Sequence, residues 1–343
     1  MNPASISEVR TAKELFEHLP EDARGRLVAE DQPSFIDPML ATLTDKRFSD
    51  PDWLFETKFD GERCLAFRSG DRLRLLSRKQ QHLNATYPEL ADALAAQPLD
   101  DFVVDGEVVA FDGERTSFGR LQQRLGLTDP QAIRARGVTV YYYLFDVLYL
   151  QGHDTTGLPL RQRKALLKRA LSFEDPLRYT AHRVGEGEAA YDDACAKGLE
   201  GIIAKRASSE YASRRSPDWL KFKCSETQEF VIGGFTEPRG SRTGLGALLV
   251  GYYEDGTLVY AGKVGTGYTQ KTLRDLRSRL EALEQEEPAF RGPGARERGT
   301  HWVRPALVAQ VSFSEWTEDG KLRHPRFEGM RRDKSPREVI RES

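Results

Sequence analysis

Cysteine is scarce in this sequence, and no long apolar run is present. The three cysteines, Cys64, Cys195 and Cys224, are odd in number, far apart and outside any C-x-x-C or H-x-x-H pattern. This spacing argues against structural zinc and is typical of a chain in a reducing cytoplasm. No stretch approaches the roughly 18 apolar residues of a membrane span, and residues 1–21 show no export signal. We therefore expect a cytoplasmic protein without a membrane partner.

A strong net charge of either sign is also missing, since 51 basic and 53 acidic residues leave a charge of −2. The charges are nevertheless unevenly distributed. Residues 1–52 contain six basic and eleven acidic residues, whereas residues 204–224 contain six basic and two acidic and residues 321–341 eight basic and three acidic. The two basic segments indicate either solvated surfaces or a path for a polyanion, and charge alone leaves both open.

The remaining composition is typical of a globular protein. The chain has 343 residues, 39% of them hydrophobic, with 17 Phe and 12 Tyr, which is too rich in large apolar side chains for a disordered chain. At about 150 residues per domain, this length favours two domains.

The longer of the two regions has patterns that favour an α+β domain built on antiparallel sheet. Segments dense in Val, Leu, Phe and Tyr predict strands at 63–67, 72–77, 102–111 and 138–150. Apolar residues at helical spacing predict helices at 87–96 and 160–171. Short Gly turns between consecutive strands indicate antiparallel pairing.

After Cys224 the pattern changes to short strands separated by glycine turns. These strands are predicted at 230–235, 247–253, 258–264 and 308–313, with one helix near 273–283. Four or five strands and one helix in about 115 residues predict a small barrel of the OB-fold type.

The first 34 residues look detached from both domains. Thr11 and Glu14 have the spacing of a capping box before a short helical run through Leu19, and a polar stretch leads from Pro20 to Pro33. We predict an extension of helix plus linker, either a disordered leader or a docking tether. The predicted division is therefore an N-terminal extension at 1–34, one domain at 35–225 and a second at 226–343.

Lys58 is the first candidate for chemistry, because it follows an apolar segment and precedes an Asp60-Gly61 turn. A buried amine is costly unless it is paired or used. One use is as a nucleophile, which requires the pKa to fall from about 10.4 by roughly 2–3 units. Neighbouring cations or a bound metal would supply that shift. The alternative is a surface lysine beside a hairpin turn.

Other charged residues follow apolar strand patterns. Alternation places Asp105 and Glu107 on one strand face, where two carboxylates can hold Mg²⁺ or a ribose hydroxyl. Glu200 is another acid beside an apolar run, and Lys221 and Lys223 share a strand face that can straddle a phosphate. Each segment alone could be an amphipathic strand, but their joint occurrence favours a common site.

These segments together resemble the motifs of the covalent nucleotidyltransferase superfamily. Within it the sequence is most similar to the ATP-dependent DNA ligases, and specifically to the ligase module of bacterial ligase D used in non-homologous end joining. The resemblance runs from about residue 35 to 337 and rests on these strings: Lys58-x-Asp60-Gly61-x-Arg63, Ser77-Arg78, Asp105-Gly106-Glu107, Phe145-Asp146, Glu200-Gly201, Lys221-Phe222-Lys223 and Arg331-x-Asp333-Lys334. It implies an adenylation domain followed by an OB-fold barrel.

The resemblance also implies a role for each matching residue. Lys58 would attack the α-phosphate of ATP and form lysyl-AMP, with Asp60 beside it as a further catalytic residue. Glu107 and Glu200 would bind ribose or a divalent cation, Mg²⁺ or Mn²⁺, and Phe145, as an exposed ring at a strand end, would stack on adenine. The remaining nucleotide contacts would be Glu56, Thr57, Arg63, Arg215, Lys221 and Lys223.

Further implied contacts concern DNA and the pyrophosphate. Arg78 would contact the 5′-phosphate, while Arg331, Asp333 and Lys334 would orient the pyrophosphate and swing away when DNA binds. A basic loop at 238–246 would touch the DNA backbone. The implied partners are nicked or broken duplex DNA, Ku and a repair polymerase, and the implied setting is a monomer in the bacterial cytoplasm or nucleoid.

Three alternatives remain at this point. An mRNA-capping guanylyltransferase or an RNA ligase shares the Lys58-x-Asp60-Gly61 string, and a DNA-end-binding scaffold would keep the fold without catalysis. An NAD-dependent ligase is disfavoured because its zinc-finger cysteines are missing. The wording Ser77-Arg78-Lys79-Gln80-Gln81 departs from the family's usual Arg-Asn-Gly, which puts the turn after Arg78 in doubt. Residues 1–34 match no part of the ligase core. The chain also lacks the polymerase and phosphoesterase modules that are often fused to this ligase, so we expect a stand-alone ligase or a piece of a longer one.

Overall fold

The structure is a computed structural model that describes residues 12–224, 226–238, 243–291 and 299–342. The chain forms two compact units, and the first ends at Cys224. This boundary lies within one residue of the position at which the sequence pattern changes.

The first unit is a mixed α/β unit rich in antiparallel sheet. Its described helices are α1 (Ala12–Glu17), α2 (Glu21–Arg24), α3 (Pro88–Ala95), α4 (Phe118–Leu121), α5 (Pro130–Arg136), α6 (Leu160–Ala170) and α7 (Gly187–Ala196). Its described strands are β1 (Val28–Ala29), β2 (Leu40–Leu43), β3 (Trp53–Thr57), β4 (Glu62–Ser69), β5 (Arg72–Ser77), β6 (Asp101–Asp112), β7 (Arg115–Thr116), β8 (Val140–Leu150), β9 (His153–Asp154), β10 (Leu177–Tyr179), β11 (His182–Val184), β12 (Gly201–Arg206) and β13 (Arg215–Lys223).

These strands form two sheets. The larger runs in the order β1-β9-β8-β6-β4-β5, and the smaller runs β11-β3-β12-β13-β2. All pairs along both paths are antiparallel except β13 with β2. The four strands and two helices predicted for this region correspond to β4, β5, β6, β8, α3 and α6. The predicted α+β class with antiparallel sheet is therefore confirmed.

Strand β6 shows how the sequence pattern positions the two faces of the larger sheet. Val104 and Val108 belong to the main apolar core, whereas Val103 belongs to a second cluster on the other face. Alternation places Asp105 and Glu107 on the face of Val103, as predicted. Helices α3 and α6 contribute to the main core, which leaves the opposite face available for a binding cavity.

The N-terminal segment is not detached where the structure describes it. Leu15 and Ala23 are at most 1% exposed and belong to the main core. Val28 pairs with Asp154, and the amide nitrogen of Gln32 donates to the carbonyl oxygen of Arg68 at 2.6 Å. The expectation of a detached leader therefore fails for residues 12–34, because four apolar side chains in 23 residues suffice to anchor short helices to a sheet. The predicted capping residue Thr11 lies outside the described residues.

Truncating one of these anchors should destabilise the first unit. We expect Leu15→Ala to lower the free energy of unfolding by about 2–4 kcal/mol, because it removes a fully buried side chain. The exposed neighbour His18 provides the control, since His18→Ala should change stability by no more than about 0.5 kcal/mol. Urea unfolding followed by tryptophan fluorescence measures both, and equal stability of the two variants would show that α1 is only loosely attached.

The cysteines also differ from expectation, since they are distant only in the sequence. Cys195, in the last turn of α7, and Cys224, directly after β13, have Cα atoms 5.1 Å apart and form a disulfide. Cys64 is a buried free thiol. Spacing along the chain did not indicate this pair, because α7 and the end of β13 are brought together only when β12 pairs with β13.

The second unit is a small barrel. Its described elements are β14 (Glu226–Thr236), β15 (Leu248–Glu254), β16 (Thr257–Val264), α8 (Gln270–Glu281), β17 (Glu284–Gln285), β18 (Thr300–Phe313), β19 (Glu315–Trp316), β20 (Leu322–Arg323), β21 (Arg326–Arg331) and a 3-10 turn (Pro336–Glu338). The sheet runs β16-β15-β14-β18-β17, β21 also pairs with β18, and a bridge between Thr266 and Arg326 connects the ends. Five long strands with one helix before β18 confirm the predicted OB-fold. No helix in the described parts of either unit is long and apolar enough to cross a membrane.

Candidate active site

A cavity of about 190 Å³ lies in the first unit where the two sheets face each other. Strands β2, β3, β12 and β13 of the smaller sheet form one side, and β4, β6 and β8 of the larger sheet form the other. The cavity is lined by Ala41, Glu56, Thr57, Lys58, Phe59, Arg63, Glu107, Phe145, Ile203, Lys205 and Trp219. Six of these residues were site candidates in the sequence: Glu56, Thr57, Lys58, Arg63, Glu107 and Phe145.

Lys58 lies on the short link between the two sheets, because β3 ends at Thr57 and β4 begins at Glu62. Its backbone N–H donates to the carbonyl oxygen of Gly201 at 3.0 Å. The Asp60-Gly61 turn passes close to β6, where a Cβ atom on Gly61 would lie 2.3 Å from the carbonyl oxygen of Val108. Glycine is therefore required at this turn, which directs the Lys58 side chain into the cavity.

The ammonium group of Lys58 forms an ion pair with Glu200, and both side chains are largely buried. Burial by itself lowers the pKa of Lys58, but the carboxylates of Glu200, Asp60 and Glu107 outweigh it and raise the pKa. The expectation that neighbouring cations lower this pKa is therefore wrong, because the nearest charges are carboxylates, whereas the other expected cause, a bound metal, stays a prediction. To act as a nucleophile, the amine must exchange these partners for a substrate and lose its proton.

Glu56 is the centre of a buried group of three charges. Its carboxylate, 3% exposed, accepts a hydrogen bond from Lys164 Nζ at 2.5 Å on Oε1 and lies 2.6 Å from Lys205 Nζ through Oε2. Burial raises the pKa of Glu56, but the two lysines lower it below its usual value. At Lys205, burial and the repulsion from Lys164 lower the pKa, whereas the attraction of Glu56 raises it. The net effect lowers the pKa of Lys205 to about 8. Near pH 7 the cavity wall therefore presents a carboxylate beside a cation.

The guanidinium group of Arg63 is positioned by a buried carboxylate, that of Asp105. Its guanidinium donates to Asp105 Oδ1 at 2.5 Å and Oδ2 at 2.6 Å, and Asp105 is fully buried. Tyr211 Oη also donates to Asp105 Oδ2 at 2.7 Å and accepts from the N–H of Met39 at 2.9 Å. Asp105, predicted to share a metal or ribose role with Glu107, is therefore occupied in positioning Arg63. Asp105 and Glu107 share a face, but only Glu107 lines the cavity.

Phe145 lines the cavity between cationic groups. The Arg63 guanidinium carbon lies 4.6 Å and Lys205 Nζ 4.1 Å from the centre of its ring, and Trp219 packs edge to face against it. Phe145 is 7% exposed and lies within β8, so the expected exposed ring at a strand end is wrong. The ring nevertheless lines the cavity.

Tyr211 is a positioning residue outside the predicted set, and its hydroxyl can be tested separately from its ring. We expect Tyr211→Phe to lower the free energy of unfolding by about 1–2 kcal/mol, because the N–H of Met39 and one oxygen of Asp105 lose a partner. Denaturant unfolding measures the loss. Tyr141→Phe, outside the cavity, should leave the stability unchanged, and equal stability of the two variants would contradict the role.

The two predicted metal ligands both approach the cavity. Glu107 lines it, and Glu200 contacts the ammonium group of Lys58. Glu200 Oε2 is buried and accepts no hydrogen bond from the residues that the structure describes. The described residues contain no group of three or more His, Cys, Asp or Glu able to hold a metal by themselves. Two carboxylates nevertheless suit Mg²⁺ or Mn²⁺ that also binds phosphate oxygens and water, so these residues fit a substrate-dependent cation site.

The remaining predicted phosphate contacts do not line the cavity. Lys221 and Lys223 lie on β13 opposite Ile203 and Gly201 of β12, which places Lys221 beside a cavity-lining residue. Arg215, at the start of β13, is exposed and donates to the carbonyl oxygen of Ala41. Arg78 is half-buried in the turn after β5. Neither arginine lines the cavity, so their predicted contacts stay predictions.

The last predicted catalytic residues belong to the second unit. Arg331 donates to Asp333 Oδ1 at 2.9 Å and Oδ2 at 2.7 Å. Lys334 Nζ lies 2.8 Å from Glu229 Oε2. The predicted swinging role of these residues stays a prediction. The predicted DNA-contacting loop at 238–246 falls partly outside the described residues, which exclude 239–242.

Sequence reasoning missed three residues of this site. Lys164 is in helix α6, far from the motifs in sequence, and Tyr211 follows β12. Lys205 directly follows the apolar run beside Glu200 but was not selected as a site residue. The sequence could have identified Lys205 and Lys164 by their position, because each lies at an otherwise apolar position and a lysine buried there requires a charged partner. Nothing in the local sequence identifies Tyr211.

Comparisons with known proteins agree with this geometry. Residues 38–223 match the family described as ATP dependent DNA ligase domain, and residues 241–334 match the ATP dependent DNA ligase C terminal region. The multifunctional non-homologous end joining protein LigD of Pseudomonas aeruginosa is 41% identical over 318 residues, covering 90% of this chain and 37% of the relative. The corresponding LigD of Mycobacterium tuberculosis strain H37Rv is 39% identical, covering 89% of this chain and 40% of the relative.

The chain therefore spans about two fifths of the length of these curated relatives. A solved structure, mycobacterial DNA ligase D complexed with ATP and MES, is similar over both units. It is 37% identical, with a TM-score of 0.67, and the match covers 90% of this chain and 98% of that one.

Proposed function

Because the chain belongs to the ATP-dependent DNA ligase family, we propose that it joins a 5′-phosphate to a 3′-hydroxyl in duplex DNA at the expense of ATP. The observation that carries the proposal is the position of Lys58, which pairs with Glu200 in a cavity lined by two carboxylates, Glu56 and Glu107, and by the cations Arg63 and Lys205. The similar mycobacterial ligase D structure holds ATP, which supports ATP as the nucleotide.

In the first step, the neutral amine of Lys58 attacks the α-phosphorus of ATP. The new P–N bond replaces the bond to pyrophosphate, which leaves, and the amine loses a proton. Phosphoryl transfer of this kind depends on positioning and charge neutralisation. A divalent cation held by Glu107 and Glu200 would neutralise phosphate charge and withdraw these carboxylates from Lys58, which would favour the neutral amine.

The cavity wall also supports adenine over guanine. Glu56 offers an acceptor and Lys205 a donor side by side. The edge of adenine offers an amino donor next to a ring-nitrogen acceptor, whereas guanine offers a carbonyl acceptor next to a ring N–H donor. Guanine in the same orientation would place its carbonyl oxygen against the carboxylate of Glu56 and its ring N–H against the ammonium group of Lys205. Phe145 and Ile203, on opposite sheets, provide apolar surfaces for the faces of the base.

In the later steps, AMP passes from Lys58 to the 5′-phosphate of DNA, and the 3′-hydroxyl then attacks this phosphate and releases AMP. Lys221, Lys223 and Arg78 are proposed contacts to the phosphates in these steps. Arg331, Asp333 and Lys334 are proposed to orient pyrophosphate in the first step only. We further propose a role in double-strand break repair together with Ku and a repair polymerase. The support is that the relatives are named as non-homologous end joining proteins.

Sealing of a nicked duplex tests this function. The protein, Mg²⁺ or Mn²⁺, and a nick with one labelled 5′-phosphate are incubated with ATP or with GTP. The proposal expects ligated product with ATP and little with GTP. Product with GTP alone, or a covalent GMP adduct without an AMP adduct, would favour a guanylyltransferase. DNA binding without any covalent adduct would favour a non-catalytic scaffold.

A further inference from the structure

The disulfide between Cys195 and Cys224 joins the last turn of α7 to the residue after β13, a strand of the smaller sheet on one side of the cavity. Both cysteines are half-buried, so a thiol reagent can reach the bridge. Cys64, in contrast, is fully buried, and burial raises the pKa of its thiol well above the usual value. Only one pair in the chain is therefore suited to reversible thiol–disulfide exchange.

The bridge closes the open end of the β12–β13 pair. Glu200 directly precedes β12, and its carbonyl oxygen accepts from the N–H of Cys224 at 2.9 Å. Gly201 then pairs with Lys223. Helix α7 ends at Ala196, so Cys195 is five residues before Glu200. The bridge thus fixes the short segment that carries Glu200 from both sides.

This end of the hairpin is in direct contact with the nucleophile. Glu200 forms an ion pair with the Lys58 ammonium group, and the carbonyl oxygen of Gly201 accepts from the Lys58 N–H at 3.0 Å. Gly201 has φ 148°, and a Cβ atom there would lie 1.9 Å from the carbonyl oxygen of Phe222. The two strands are therefore in close contact at this point, and a displacement of the Glu200 segment moves both partners of Lys58.

We propose that the Cys195–Cys224 pair is a reversible modification site that controls the adenylation step. The disulfide fixes the segment of Glu200 and Gly201, so that the carbonyl oxygen of Gly201 holds the backbone of Lys58 in place; its reduction loosens that end of the hairpin and slows transfer of AMP to Lys58. The inference rests on the proposed function, because it takes Lys58 as the acceptor of AMP. The cysteines are positioning residues that act through Gly201 on the backbone of Lys58.

A dithiol reductant supplies the two electrons that reduce the disulfide between Cys195 and Cys224. One thiolate of the reductant attacks a sulfur of the bridge, the S–S bond breaks and a mixed disulfide forms. The second thiol of the reductant resolves it, so that two electrons pass to the protein, Cys195 and Cys224 each take a proton and the reductant becomes a disulfide. Oxidised glutathione reverses the process in two exchanges and leaves two molecules of glutathione.

Two measurements on the whole chain test the proposal. Thiols are counted in denatured protein after treatment with oxidised glutathione or with dithiothreitol, and we expect one thiol, that of Cys64, after oxidation and three after reduction. The rate of lysyl-AMP formation is then measured across ATP concentrations, at a temperature well below the melting temperature of both forms. We expect the maximal rate to fall about fivefold on reduction and to recover on reoxidation, with a smaller change in KM for ATP.

Matched variants separate positioning from general stability. The double variant Cys195→Ser, Cys224→Ser should show the rate of the reduced protein under both conditions, whereas Cys64→Ser should respond as the wild type does. Three thiols after oxidation, or equal maximal rates in both states, would overturn the proposal. A merely structural bridge would change the melting temperature and leave the rate at low temperature unchanged. Absence of lysyl-AMP in either state would instead refute the proposed function.

Discussion

Lys58→Ala is expected to lower the rate of protein adenylation by about four orders of magnitude or more, to below detection. Among the described residues, Lys58 is the one lysine that both lines the cavity and forms an ion pair with Glu200, and the variant removes its amine. Transfer of labelled AMP from ATP to the protein measures the effect directly. The variant should remain folded, because a partly buried side chain at the cavity is truncated rather than one in the main core.

Two controls accompany this variant. Lys79→Ala, at an exposed position after β5, should adenylate at the wild-type rate. Lys58→Ala itself should still seal a nick that already carries AMP on its 5′-phosphate, since the lysine is bypassed in that substrate. Wild-type labelling of Lys58→Ala would show that another residue accepts AMP.

Glu56→Ala is expected to have the largest effect on stability. It would leave the buried ammonium groups of Lys164 and Lys205 without their shared carboxylate. Breaking a buried ion pair by removing one partner costs about 3–5 kcal/mol. Denaturant unfolding of the first unit measures the loss. Glu210→Ala provides the matched control, because Glu210 is an exposed glutamate 3.6 Å from Arg26 and its loss should cost less than about 1 kcal/mol.

The same cluster predicts a pH dependence. The pKa of Glu56 is lower in the folded protein than its usual value, which is about 4.3 in an unfolded chain. Its contribution to stability is therefore fully present above about pH 4.3 and is lost as the pH falls through the folded-state pKa. We expect Glu56→Gln to be less stable than the wild type at pH 7 and the difference to shrink in acid. A difference that is constant from pH 7 to pH 3 would contradict the charged state of Glu56.

The sequence was sufficient for most of the fold because periodicity reflects burial. The alternation in β6 predicted both faces of the larger sheet, and glycine turns separated the strands of the barrel. The N-terminal segment was not predicted correctly, because Leu15, Phe16, Leu19 and Ala23 are too few to produce a strong periodic signal. Their attachment depends on a surface that other parts of the chain create. The pairing of Cys195 with Cys224 likewise depends on the register of β12 with β13.

The site was predictable where a motif carries several functional residues on one strand. Lys58, Glu107 and Glu200 converge as expected, and the family resemblance behind them is confirmed. Partners supplied by distant segments were not predictable. Asp105 resembles a metal ligand in sequence, but Arg63 and Tyr211 occupy it. The sign of the Lys58 pKa shift was also wrong, because a motif does not state which neighbouring charge lies closest.

Peptide mapping of the covalent adduct tests the central claim most directly. The protein is incubated with ATP labelled at the α-phosphate and a divalent cation, then digested, and the labelled peptide is identified by mass spectrometry. The account predicts AMP on Lys58 through an acid-labile P–N bond, with no adduct on Lys164 or Lys205 in the same cluster. An adduct on a different residue, or an adduct formed from GTP and not from ATP, would contradict it.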